Sequence, residues 1–575
     1  MAAHFLRMLA IAGVADAVWP PPRSISHAGD ALAVDAQQFR FEATCEDDAG
    51  VLRRAMARYE AIVRAAATKA TAAPSTVAVV RVVVEDCAAA LGADTSYDYA
   101  IANATVSAAS VFGAAHGLET FAQLVAAGEL RRGTVVRDGP AFAWRGAMLD
   151  SGRRFSPVAV VEDLLDVMGA AKMSVLHWHL SARTRRRPGA FYPNPVALAG
   201  LLPVERRLRG LPRAHGKPRG RRRGVLHARG RRGRRRLREG PGHPRRARVR
   251  RSALRPRRVS RDSGWKIVTV VLGRFDVPGH TYGMRSLDGE LTFCKGSDWT
   301  IDGDAASIAV LKALVAEMAA LFDDDVFHLG MDEVSEPPPC TADGTRTLEA
   351  ALLAHVEALG KTPMGWDPVA AVARPGGAIV DSWLSNAGAA AFADKGFDVV
   401  DAANAPWYFT HPAGWDASAA CRPGGCAGPP GWATAWRRPG GASNSSRVLG
   451  GEFSLWTDDY AFPGECGAHG AAAVPANASC MMDRALDAAF RASLGGLAWP
   501  RGLVAAAAFY GYDAALDAAS PNFTAAVYAF NDQLAARGFR VCKSGAVCSY
   551  VSEDDALYPG IVEVEGYNCS AQIVG

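Results

Sequence analysis

The sequence predicts an α/β chain in which a TIM (β/α)8 barrel follows a small α+β domain. Three observations carry this expectation. From Arg145 onward, short apolar β-type segments alternate with segments of helical period. Side chains capable of chemistry fall at the ends of those apolar segments, where a barrel gathers its active-site loops. A chain of 575 residues is also long for one domain, so a second, smaller unit is expected before the repeats begin.

Residues 18–140 read as that smaller unit. VLRRAMARYEAIVRAA (51–66) has helical period, and TVAVVRVVVE (76–85) is a β-branched strand. SYDYAIANATVS alternates as strands do, and VFGAAHGLETFAQLVAA reads as a second helix. The barrel then occupies 141–575. GAMLD (146–150) is a buried strand, and Ser156-Pro157 offers an N-cap and a first-turn proline to the helix that follows. SVLHWHL (174–180), KIVTVV, VFHLG, AIVDSW, FDVVDAA and VLGGEFSLW supply later strands, and TLEAALLAHVEALG one of the intervening helices.

The alternation fails between Arg183 and Asp262. This stretch holds 28 Arg and one Lys against Glu205, Glu239 and Asp262, a net charge of +26. The rest of the chain carries 35 basic and 55 acidic residues, or −20, so the overall +6 describes neither part. A basic tail for nucleic acid is one reading. Its place inside a barrel, its few aromatics and its abrupt start favour a reading-frame or splicing error in the coding sequence, and no nucleic-acid partner is expected. On that reading the segment removes the second helix and part of the third strand.

Eleven cysteines without a Cys-x-x-Cys spacing argue against a zinc site and for disulfides in an oxidising compartment. Sequons at Asn103, Asn444, Asn477, Asn522 and Asn568 fit the same compartment. Residues 1–17 carry Arg7, a short apolar run and Ala15-Asp16-Ala17, read as a secretory signal peptide. A lysosomal, vacuolar or secreted protein follows, without a membrane span.

Phe327-His328-Leu329-Gly330-Met331-Asp332-Glu333-Val334 is the central chemical signal. An apolar strand ending in adjacent carboxylates delivers both to a barrel mouth, and neighbours on a strand point different ways. One carboxyl can then face a leaving oxygen while the other meets a different part of the substrate. Trp144 to Phe155 (WRGAMLDSGRRF), Leu176-His177-Trp178-His179-Leu180 and Phe275-Asp276-Val277-Pro278-Gly279-His280-Thr281 flank it in the sequence. Trp366, Trp383, Trp407-Tyr408 and Trp456 fall at or near later strand ends. Indole faces stack on the C–H faces of pyranoses, so several converging tryptophans suit a sugar.

Taken together, these motifs resemble the β-N-acetylhexosaminidases of glycoside hydrolase family 20, from Val18-Trp19-Pro20 to about residue 510, with 183–262 excepted. The resemblance implies retaining, substrate-assisted removal of terminal β-linked N-acetylhexosamine, GlcNAc or GalNAc, from glycans, without metal or cofactor. It implies Glu333 as the acid that protonates the leaving oxygen, and Asp332 as the group that orients the 2-acetamido nucleophile. Tyr408 would bond the acetamido oxygen, and Trp366, Trp383 and Trp456 would wall the pocket. Arg145 and Asp458 would grip sugar hydroxyls, with His280 and Asp276 supporting the catalytic carboxylate. It further implies disulfides Cys45–Cys87 and Cys294–Cys340, and a homodimer. Three positions depart from the family pattern: Thr410 and Asp458 stand where it has Asp and Glu, and the acidic residues expected after His179-Leu180 are missing. A catalytically inactive sugar-binding homologue is the competing reading.

Overall fold

The computed structural model describes residues 18–180, 270–409, 433–456, 498–539 and 541, apart from 46, 48–49, 68–75, 89–97, 153–155, 157, 282–283, 285–286, 288, 295–299, 323 and 337. The N-terminal unit is a six-stranded sheet in the order Ser24–Ser26, Val135–Asp138, Tyr99–Ala102, Thr105–Ser110, Val79–Asp86, Arg40–Ala43. Val79–Asp86 alternates buried and exposed residues, as a sheet with one face on a core requires. Helices Val51–Ala67 and Val111–Ala127 cover that sheet. The second of these is capped by the Ser110 hydroxyl, which accepts from the Gly113 N–H, and it ends at Gly128 in the left-handed region. It is buried on nearly every side. A helix buried all round must pack on two partners, and here the second partner is the barrel, met through Glu119 and Arg537.

Eight parallel strands close that barrel in chain order: Trp144–Asp150, Val175–His179, Val270–Val277, Val326–Gly330, Thr362–Trp366, Ile379–Ser382, Asp398–Asp401 and Val448–Leu455. The first and last strands pair over six residues, which completes the ring. Seven of the eight strands were expected from the sequence. The fifth, Thr362–Trp366, was not, because Pro363 and Gly365 weaken its β signature.

The third strand needs a correction. It runs Val270–Val277, beyond the KIVTVV segment, and its first five residues pair in full with Val175–His179. The Arg-rich segment 183–262 lies outside the described residues, but it does not cost the barrel this strand.

Several polar ties join the units. Glu119, on the buried N-terminal helix, accepts from Arg537 Nη1 with both carboxylate oxygens, at 2.7 and 3.0 Å. The Trp19 indole N–H donates to the Leu503 carbonyl at 3.0 Å. Cys45 and Cys87 are disulfide-bonded with Cα atoms 6.4 Å apart, as are Cys294 and Cys340 at 5.4 Å. Sequon residues Asn103, Asn444 and Asn522 are exposed; Asn477 and Asn568 lie outside the described residues, as does the segment 1–17. Among the described residues no helix is long and apolar enough to cross a membrane.

Candidate active site

The fourth strand ends in an irregular turn. Gly330, Met331 and Glu333 all have positive φ, at 78°, 72° and 47°. Such backbone costs a non-glycine residue about 1–2 kcal/mol, so it persists only where the surroundings enforce it. Glycine is required at 330, since a Cβ there would meet Asp276 Oδ1 at 2.5 Å. The turn sends Asp332 inward, with its side chain 12% exposed, and Glu333 outward, at 43%. His280 joins them: its Nε2 lies 3.6 Å from Asp332 Oδ2 and 3.6 Å from Glu333 Oε2. His280 itself has φ 55°, and the Gly279 before it leaves no room for a Cβ against the Asp332 carbonyl.

Asp276 ends the third strand and reaches His179 Nε2 with Oδ2 at 2.6 Å. The other ring nitrogen of His179 lies 2.7 Å from Asp150 Oδ1, at the end of the first strand. One buried histidine thus ties three strand ends across the mouth. Its part, and that of Asp150, was missed in the sequence, although both close apolar strands as the other site residues do.

The aromatic residues cluster at the same rim, where the Trp456 ring packs edge-on against His179 at 5.1 Å. Trp366 and Trp456 have ring centroids 6.1 Å apart, Tyr408 and Trp456 5.9 Å, and Trp383 stacks on Tyr408 at 6.3 Å and 15°. Two carboxylates unnoticed in the sequence aim them. Asp367 accepts from the Trp383 backbone N–H at 2.8 Å and the Ser382 hydroxyl at 3.0 Å, which locks the fifth strand end to the sixth. Burial pushes its carboxyl up, against the pull of those donors. Asp401 accepts from Asn386 Nδ2 at 2.6 Å, Gly440 N at 2.7 Å and Ala403 N at 3.2 Å, at the start of the turn that leads to Tyr408. Burial raises it to about 6, although all three bonds favour the carboxylate.

The Cys294–Cys340 bridge ties the loop after the third strand to the loop after the fourth. It therefore braces the two segments that carry His280 and the Asp332–Glu333 pair.

Arg145 is elsewhere. It is the second residue of the first strand, at the end opposite the mouth, and it is fully buried. Its Nε donates to the Lys172 carbonyl at 2.8 Å, and Nη1 to the Phe142 and Ala143 carbonyls at 2.7 and 3.0 Å. A side chain so engaged at the barrel floor cannot grip sugar hydroxyls. Thr410 and Asp458 lie outside the described residues, as do Arg153 and Arg154, which follow the mouth end of the first strand.

Comparison with known proteins matches this order of elements. The family model for the catalytic domain of glycosyl hydrolase family 20 matches residues 142–184 and 266–461, passing over the Arg-rich segment. The model described as beta-acetyl hexosaminidase like matches residues 18–124. Beta-hexosaminidase 1 of Arabidopsis thaliana is 28% identical over 191 residues, covering 28% of this chain and 35% of that one. Beta-hexosaminidase subunit alpha of Mus musculus is 32% identical over 191 residues, or 30% and 36% of the two chains. The chain thus spans little more than a third of the length of these relatives. Among solved structures, the exo β-N-acetylglucosaminidase of Vibrio harveyi has a TM-score of 0.60 at 16% identity, covering 92% of this chain and 78% of that one. The β-N-acetylhexosaminidase of Streptomyces coelicolor A3(2) has a TM-score of 0.57 at 18% identity, covering 93% and 98%. These likenesses carry the fold, and the two family models carry the membership: the chain belongs to glycoside hydrolase family 20.

Proposed function

We propose that this protein hydrolyses terminal, non-reducing, β-linked N-acetylhexosamine residues of glycans, with retention and with the substrate's own acetamido group as nucleophile. The observation that carries the reading is the meeting of Asp332, Glu333 and His280 at the same strand-end rim that carries the Trp366, Trp383, Tyr408 and Trp456 cluster.

The half-exposed Glu333 protonates the departing glycosidic oxygen and then takes a proton from the incoming water. The buried Asp332 accepts the acetamido N–H and offsets the positive charge that develops as the acetamido oxygen attacks the anomeric carbon. The Tyr408 hydroxyl holds that oxygen in line. Trp366, Trp383 and Trp456 enclose the sugar and exclude bulk water, which strengthens both charge interactions. His280 sits between the two carboxylates and keeps them apart in role. Arg145, buried at the floor end of the first strand, is not the group that meets the sugar hydroxyls. Asp458 meets outer hydroxyls from the eighth. Disulfides and exposed sequons support a lysosomal, vacuolar or secreted location.

The test is turnover of 4-nitrophenyl N-acetyl-β-glucosaminide and -galactosaminide, with the first-formed anomer read by proton NMR. Release of the β-anomer supports the reading. Binding of N-acetylglucosamine without any turnover would leave a sugar-binding homologue instead.

A further inference from the structure

The barrel interior directly under the pocket is polar. A TIM barrel normally fills each layer with four side chains from alternate strands, mostly bulky aliphatics. Here the second, fourth, sixth and eighth strands send in His177, His328, Asp381 and Glu452, all fully buried. His177 Nδ1 lies 2.7 Å from Glu452 Oε1 and 3.7 Å from Asp381 Oδ2; His328 Nε2 lies 3.4 Å from Asp381 Oδ2. The Trp366 ring packs on both imidazoles, at 5.2 Å from His328 and 5.9 Å from His177.

We propose that His328 is a positioning residue: its Nδ1 accepts the Gly330 N–H and thereby pins the turn that aims Asp332 and Glu333. The bond is 3.0 Å long. Gly330 needs such a partner, because the ladder between the third and fourth strands shifts register between Arg274 and Val277, just where Gly330 pairs. Gly330 also opens the run of positive φ, so the bond acts at the first residue of the strained turn. The acceptor role fixes the tautomer. With Nδ1 receiving a proton, the ring's own hydrogen sits on Nε2 and faces Asp381. That assignment sets aside a metal cage of His177, His328 and Asp381, whose ligand atoms lie within 4.8 Å of one another, since a protonated Nε2 has no lone pair to give. Asp381, 3.4 Å from Nε2, and the His177 ring, 4.7 Å away, pack against the imidazole that reaches Gly330.

The inference rests on the proposed hydrolysis for its kinetic consequence but not for its geometry, and two near-isosteres separate the parts of the ring. His328→Asn keeps an acceptor near the Nδ1 position and loses the Nε2 donor. His328→Gln keeps a donor near Nε2 and loses the acceptor. The measurements on the full chain are kcat and KM, hydrogen–deuterium exchange of a peptide spanning 327–334, and the thermal unfolding midpoint. The Gln variant should lose about a hundredfold in kcat with KM within about threefold, as a displaced catalytic group does, while Asn stays within about tenfold of the parent. Exchange over 327–334 should quicken in Gln and stay near the parent in Asn, at similar unfolding midpoints. Gln matching or exceeding Asn in kcat, or equal exchange in the two, would overturn the proposal. A parent chain without turnover would overturn the functional reading alone, and the exchange comparison would still decide the role of His328.

Discussion

At the floor of the barrel Lys172 and Asp138 meet at 3.0 Å with no exposure, and at the mouth His280 stands 3.6 Å from two carboxylates, one of them half-exposed. The residue types are alike but the arrangements are opposite. At the floor every partner is close: Lys172 also donates to the Tyr99 hydroxyl at 2.9 Å, and Asp138 Oδ2 accepts from Tyr99 at 2.6 Å and Tyr510 at 2.9 Å. Burial alone would raise the Asp138 carboxyl, yet the Lys172 ammonium and these donors hold it below the usual range. Burial, then Arg145 and Lys172, hold His116 well below its ordinary value, so it is neutral and adds no further charge. Around His280 at the mouth the contacts are longer and the backbone is strained. The floor joins residues of the N-terminal sheet to the barrel and gains from short, complete bonds. On the proposed function the mouth exchanges a proton and admits a substrate, and there His280 and the two carboxylates stand 3.6 Å apart rather than at hydrogen-bond distance.

The largest expected effect is at the mouth. Glu333→Gln should abolish hydrolysis of substrates with poor leaving groups while activated aryl glycosides retain some turnover, because a good leaving group needs less proton assistance. Steady-state rates on the two substrate types decide it; equal loss on both would remove Glu333 from the acid's role.

The floor responds in a different currency. Lys172→Met leaves the Asp138 carboxylate buried against two tyrosines without its cation, which costs about 3–5 kcal/mol of stability. Denaturant unfolding should show that loss, while kcat of the folded fraction stays at the parent value. A fall in kcat at unchanged stability would mean the two ends are coupled, and the contrast between them would fail.

Asp332→Asn should cost on the order of a hundredfold in turnover, as loss of a preorganised charge does. Affinity for a thiazoline mimic of the cyclised intermediate should fall with it. Unchanged thiazoline affinity would show that Asp332 does not face the acetamido group.

Much of this was legible in the sequence, and what was not has particular causes. Apolar β-type segments gave seven strands, and the one that runs into adjacent carboxylates gave the Asp332–Glu333 turn, because strand polarity and barrel geometry leave such residues at one rim. The same polarity argues against Arg145 at the mouth, since it stands at the start of its strand, and proximity to a motif in sequence obscured that. The fifth strand hid because Gly365 must leave room for the Gly330 carbonyl and Val369, which removes a β-forming residue from a five-residue segment. The inner polar layer hid for another reason. His177, His328, Asp381 and Glu452 are far apart in the chain, and only the closed ring brings alternate strands to one level. Nothing in AAKMS marks Lys172, because the sheet that buries it comes from a different unit.

The smallest expected effect concerns Asp401, which lies at the mouth end of its strand yet is bonded as fully as the floor residues. Its folded-state carboxyl titrates at about 6, against an ordinary value of 3.8, because burial outweighs its three donors. The folded chain therefore binds more protons than the unfolded chain between those values, and stability falls as pH rises through them. From pH 5 to pH 7 the loss attributable to Asp401 is about 1 kcal/mol, taking 1.36 kcal/mol per pKa unit. Asp401→Asn should lower stability at every pH, since an amide replaces one acceptor oxygen with a donor facing other donors. Its decline between pH 5 and 7 should nevertheless be shallower than that of the parent by about that amount. Denaturant unfolding of both proteins at pH 5, 6 and 7 gives the two slopes. Parallel slopes would mean that Asp401 keeps an ordinary carboxylate despite its burial, and that three short bonds suffice at the mouth, as they do for Asp138 at the floor, to hold a buried charge.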